Sequence, residues 1–313
     1  MLHYSAKKVK FVIGFMLIVN FSIAQLSSLH DQQLWIKADD RFEYGDYMNA
    51  LQLYTQLNHI DSTNEEIIFR IAVCNFNIRS YRKKSLTYFN RVDPEHFPET
   101  NYYMGRLSSL NKQYKEAIAY FTKYKSIKGE AEHSKMEIQN LIEKCNTAIE
   151  FEKNTNESLQ IENLGKDINT SYAEYAPLID AKEDFLLFTS RRENAVHPKK
   201  DPLGEYFEDI YSSKRNGNNW SPPQQLDTII NTALHDACTG LSADGTRLLI
   251  YRTSPDLRTG DIYESTFDGA GFTAPTIITT NVNSKRYIET SACFSPDNNT
   301  IFFSSDRPGG YGG

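Results

Sequence analysis

The stretch Glu208-Asp-Ile-Tyr-Ser-Ser213 returns 52 residues later as Gly260-Asp-Ile-Tyr-Glu-Ser265, and its surroundings return with it. Trp220-Ser-Pro-Pro223 reappears as Phe272-Thr-Ala-Pro275, and Ile230-Asn-Thr232 as Val282-Asn-Ser284, at the same interval. An earlier Ile168-Asn-Thr170 precedes the first copy, and an inserted loop around Asn194 to Gly204 lengthens it. A fixed interval of this size marks a repeated supersecondary unit. In the second copy, β-branched and aromatic runs predict four strands, near 235–241, 246–252, 260–266 and 272–278. The turns between them fall at Asp244-Gly245, Asp256 to Gly260 and Asp268-Gly269; Asp-Gly between apolar runs is a strong hairpin signal. Pro223 and Pro275 lie in the fourth strand, and proline, with no N–H to donate, belongs on an edge. Phe294-Ser-Pro-Asp297 and Thr300-Ile-Phe-Phe-Ser304 open a third copy, with its turn at Asp297. A four-stranded sheet whose last strand is outermost is a propeller blade.

Upstream the pattern is helical. Three segments align: Gly45-Asp-Tyr-Met-Asn-Ala50, Arg79-Ser-Tyr-Arg-Lys-Lys-Ser85 and Lys112-Gln-Tyr-Lys-Glu-Ala117. Each places a small residue (Ala50, Ser85, Ala117) four positions before an aromatic one (Tyr54, Phe89, Phe121). A small side chain lets two antiparallel helices approach, and the aromatic one turn later fills the gap beyond it. The small residues are 35 and 32 apart, near the tetratricopeptide period of about 34; a plain helical bundle is the alternative. Helices are predicted near 28–44, 47–58, 64–78, 82–91, 98–111 and 114–126, with a last one over 131–153 that caps the stack or serves as a linker helix. The organisation expected is α + β and multidomain. A leader occupies 1–24, helical repeats 25–153, a polar linker 154–165, and two blades with half of a third 166–313.

The leader has a basic start at Lys7, Lys8 and Lys10 and an apolar run from Phe11 to Val19. That run is too short for a membrane span, which needs about 20 residues. Small residues at Ser22 and Ala24 predict cleavage between Ala24 and Gln25. Cleavage moves the formal charge from −6 to −9, because three lysines leave and no acid does, which argues against a nucleic-acid partner. Cys74, Cys145, Cys238 and Cys293 have no zinc spacing and read as small buried hydrophobes.

The blade motifs resemble the WD40-like Pro-Asp repeats of TolB-type propellers. The residues that carry this are Tyr172-x-Glu174-Tyr-Ala-Pro177, Phe188-Thr-Ser-Arg-Arg192, Leu241-Ser-Ala-Asp-Gly245 and Phe303-Ser-Ser-Asp-Arg-Pro-Gly-Gly310. The order of leader, helix pairs and blades is similar to that of Bacteroidetes OmpA-family envelope proteins, including PorE-like components of type IX secretion. The resemblance implies an exported, outer-membrane-associated protein with envelope or secretion-system partners. In that family a further C-terminal domain binds peptidoglycan. A ring needs roughly 4–8 blades to close, and open strand edges invite aggregation, so the sequence is expected to be a fragment of a longer chain.

No hydrolase elbow, zinc-protease motif or phosphate loop is present, and the expectation is no enzyme, no cofactor and no metal. His235-Asp236 reads as a surface pair. Asp209 and Asp261 recur at one blade position, which suggests a structural role such as satisfying backbone donors in a turn; a calcium site is the sharper alternative. Arg192 and Arg307 recur likewise and are expected to pair with blade carboxylates. The blade aromatics, from Phe188 to Phe302, read as inter-sheet core. The leading expectation is a non-enzymatic protein-binding scaffold. A propeller accessory to an exported hydrolase and a periplasmic ligand-sensing module are the alternatives.

Overall fold

The computed structural model describes residues 28–127, 132–153, 160–194, 196, 198–257 and 259–309. The leader with its Ala24/Gln25 junction, the first half of the linker, the start expected at Ala131 for the last helix and the final Gly310–Gly313 turn lie outside the described residues. Two compact units emerge: Met1–Leu159 with Pro202–Glu205, and Gln160–Asp201 with Tyr206–Gly313.

The first unit holds seven helices among the described residues: α1 (Leu29–Glu43), α2 (Tyr47–Ile60), α3 (Glu65–Asn77), α4 (Arg82–Phe89), α5 (Glu99–Leu110), α6 (Tyr114–Lys125) and α7 (Lys135–Lys153). A single 3-10 turn, Arg79–Tyr81, leads into α4, which is shorter than expected. Side chains start the helices by accepting otherwise orphaned backbone donors. Ser28 accepts from Asp31 N, Asp46 from Asn49 N, and Asn64 from both Glu66 N and Ile67 N. Gly45, at φ +75°, makes the sharp exit from α1 that lets Asp46 cap α2. The helices pack as antiparallel pairs, α1 with α2, α3 with α4 and α5 with α6, and α7 packs on α6. Ala50, Ser85 and Ala117 are fully buried, and so, within 1%, are Tyr54, Phe89 and Phe121. Trp35 stands edge-on to Tyr54 at 5.9 Å, and Phe89 stacks on Tyr103 at 5.2 Å.

The second unit is built of antiparallel sheets. β1 (Glu174–Ile179), β2 (Phe185–Ser190), β3 (Asp209–Asn216), β4 (Asn219–Trp220) and β5 (Gln224–Gln225) form the first, with β4 and β5 both pairing β3. β6 (Asp236–Leu241), β7 (Arg247–Thr253), β8 (Gly260–Thr266) and β9 (Thr276–Ile277) form the second in simple sequential order. β10 (Ser291–Phe294) and β11 (Ile301–Ser304) form a third, two-stranded sheet. The sheets pack face to face. Leu187 and Ile210 of the first meet Cys238, Leu248 and Ile250 of the second in one buried cluster. Leu249 and Ile262 of the second meet Ala292 of the third, with Phe294 and Ile301 against them. Fully burying one such aliphatic side chain contributes roughly 1.5–3 kcal/mol.

Three expectations change here. The fourth strand is not continuous over 272–278: Phe272 makes an isolated bridge to Phe267, and only Thr276–Ile277 pairs with β8. Pro275 sits between these two contacts and Pro223 just ahead of β5, where a missing donor interrupts the ladder. Phe302 is 59% exposed and Cys293 is exposed, although both were expected in the core. They pair across β10–β11 on the face turned away from the second sheet. Among the described residues, no helix is long and apolar enough to cross a membrane.

Gly240 fixes how closely the second and third sheets approach. A Cβ there would lie 2.7 Å from Ala292 O and 3.0 Å from Cys293 Cα, both backbone atoms. Gly240→Val is therefore expected to part the two sheets at a cost of about 1–3 kcal/mol. Thermal unfolding followed by strand and helix signals should show a lower midpoint for the strand transition only; an unchanged strand midpoint would remove Gly240 as the spacer.

Candidate functional site

Each sheet has an acid, at the start of its first strand or two residues ahead of it, that closes a clip. In the first, Glu174 accepts from Thr170 N (3.0 Å) and Thr170 Oγ1, and Arg192 lies 3.5 Å from it. In the third, Glu289 accepts from Ser284 N (2.9 Å) and Arg307 Nη2 (2.9 Å). Arg192 continues to the carbonyls of Asp167 and Ile168, and Arg307 to those of Asn281 and Val282. The arginine thus ties the start of the first strand, the end of the second and the preceding Ile-Asn-Thr-like segment. Both arginines also lean on a serine two residues back, Ser190 and Ser305.

The second sheet makes the same clip from a different position. Asp236 accepts from Thr232 N and Oγ1 and from Arg252 Nε, and Arg252 Nη2 reaches Ile230 O. Arg252 is opposite Asp261, as Ser190 is opposite Asp209, so it stands two residues earlier than Arg192 does. The geometry of the clip recurs although its arginine has moved. Asp236 is fully buried. Burial pushes its carboxyl above the ordinary value in spite of Thr232 and Arg252. For Glu289, burial acts the same way, but hydrogen bonds from Ser305, Arg307 and Ser284 outweigh it and hold the carboxyl below its ordinary value.

Two further features repeat. Asn231 Oδ1 accepts from Ile210 N, and its Nδ2 donates to Ile210 O and Leu226 O; Asn283 does the same with Ile262 and Ile278. This is the work of the asparagine in Ile-Asn-Thr and Val-Asn-Ser: its Oδ1 is the acceptor for the buried Ile210 or Ile262 N–H, and its Nδ2 adds a second donor to the carbonyl that already receives Leu226 N or Ile278 N. The hairpin turns use a Ser-x-Asp arrangement. Asp244 accepts from Ser242 Oγ, Thr246 N and Thr246 Oγ1; Asp297 accepts from Ser295 Oγ, Asn299 N and Asn299 Nδ2. These bonds, led by the serine hydroxyl, push the Asp244 carboxyl down to about 2 and lower that of Asp297.

Asp209 and Asp261 are not turn residues. They begin β3 and β8, as first and second residue respectively. Asp209, fully buried, accepts from Asn194 Nδ2 (2.8 Å) and Gln225 Nε2 (3.1 Å). Asp261 is half-buried, and its carboxyl is raised by burial and then by the charge of Glu289. The turn donors are met by Asp244 and Asp297 instead.

His235-Asp236 is not a surface pair either; both residues are buried. His235 lies 3.4 Å from Glu208 and 3.9 Å from Asp201, against the Phe207 ring at 4.5 Å. Arg191 pairs with Asp201 and donates to Tyr206 O (2.9 Å). Burial works to raise Glu208, but hydrogen bonds from His235 and Tyr175 and the charges of His235 and Arg191 prevail and lower it. These groups bind one another, and together they fasten the inserted β2–β3 loop to the start of β6, where Asp236 N donates to Glu208 O. The cluster escapes a reading of the sequence because the insertion has no second copy. Its one visible signal is the acid Glu208 directly ahead of the Asp-Ile-Tyr strand.

Cys74, Cys145 and Cys238 are buried. Cys238 lies 3.1 Å from Ala176 O and 3.4 Å from Thr189 Oγ1 across the first two sheets, and burial pushes its thiol up to about 11. Among the described residues no group of three or more His, Cys, Asp or Glu side chains is placed to hold a metal ion.

The lowered carboxylates Glu208, Glu289, Asp180, Asp244, Asp268 and Asp297 all lie in the sheet unit. Each contributes stability above its unfolded pKa, and that contribution is lost as pH falls through the lower folded value. Asp236 and Asp261, raised by burial, act in the opposite sense. In the helical unit the Asp61 carboxyl is lowered, by hydrogen bonds from the Thr63 hydroxyl and N–H. Acidification below the ordinary carboxylate range is therefore expected to lower the melting midpoint of the strands before that of the helices. Circular dichroism melts at a series of pH values check this, and equal loss in both signals would refute it.

No family model matches the chain, and no curated protein matches it. Among solved structures it is similar to one described as "putative TolB from Agrobacterium tumefaciens" at 17% identity, with a TM-score of 0.27. The match covers 45% of this chain and 56% of that one, so the chain spans little more than half the length of that structure.

Proposed function

We propose that this chain is a non-enzymatic, protein-binding scaffold of the bacterial cell envelope, whose sheets are consecutive blades of a propeller arc. The observation that carries the reading is repetition. The acid–arginine clip occurs in three successive sheets, and the asparagine bridge and Ser-x-Asp turn in two each. Polar side chains that recur at equivalent positions hold a framework; they do not form a single reaction centre. The neighbouring unit is a stack of helix pairs, an architecture whose extended surface suits a peptide or protein segment. The envelope assignment rests on the basic, apolar leader and on the resemblance of the blade motifs.

The test is site-specific photocrosslinking in living cells from exposed positions on α1 and α2, such as Lys37 and Gln52, together with fractionation. The expected result is the same envelope protein trapped from both positions, with the chain in the envelope fraction. A chain confined to the cytoplasm, or crosslinks that change at random between experiments, would overturn the proposal.

A further inference from the structure

No further inference is drawn: the strongest candidate, the cavity between the end of α6 and the start of α7 lined by Lys125, His133, Ser134 and Lys135, rests on a helix N-terminus that Ser134 already caps, with nothing in the structure to show what would bind there.

Discussion

Replacing Asp236 with alanine is expected to cost the sheet unit about 3–5 kcal/mol, a large share of the 5–15 kcal/mol by which a typical domain is stable. The carboxylate is fully buried and holds Arg252 and the Thr232 N–H and hydroxyl together. Without it, a guanidinium that is 14% exposed loses its partner, and the Thr232 N–H loses its acceptor. The penalty comes from what is left behind, not from the strength of the pair itself. Burial raises the Asp236 carboxyl, which means the ionised form is already held at some expense. Two further variants separate these effects. Asp236→Asn keeps an acceptor for Thr232 and removes the buried charge, and should cost clearly less than alanine. Asp236→Ala with Arg252→Leu removes both charges and should recover part of the loss. Denaturant melts read with a strand-sensitive signal check the series. If the double variant is no more stable than Asp236→Ala alone, the clip is not an energetic unit.

This clip also shows how far the residues alone could be read. Ile-Asn-Thr and Asp-Ile-Tyr stand out because they return at one interval, and their roles are local to the repeat: Asn231 and Asn283 each reach back 21 residues to an isoleucine. Arg192 and Arg307 were legible for the same reason. Arg252 was not, because it does the same job from a position two residues earlier. The helical crossings were legible from small residue and aromatic four apart, since that spacing is one helical turn. The His235 cluster was hidden because Arg191, Asp201 and Glu208 flank or lie in an insertion present once. Phe302 and Cys293 were misplaced for a different reason. Alternation along a strand says which residues share a face, but not whether another sheet covers it. The broken fourth strands follow from the prolines: a residue with no N–H marks an edge in the sequence, and in the sheet it also interrupts the ladder.

Phe121→Ala in α6 is expected to cost the helical unit about 3–5 kcal/mol, through lost transfer energy and the cavity it leaves. Phe121 is fully buried, one turn after the fully buried Ala117. Its ring occupies the place where Gly105 of α5 has no side chain: a Cβ on Gly105 would lie 2.6 Å from the Phe121 ring. The glycine and the phenylalanine are thus two sides of one contact. Gly105→Val alone is expected to destabilise by about 1–3 kcal/mol through overpacking, since the ring has nowhere to go. In the Phe121→Ala background the same valine grows into vacated space, so the double variant should lose less than the sum of the singles. Helix-sensitive thermal melts of the four proteins measure the coupling. Strict additivity would mean that Gly105 is retained for a reason other than the aromatic that α6 presses against it, and would separate the small-residue spacing from the close approach of helices it is read to permit.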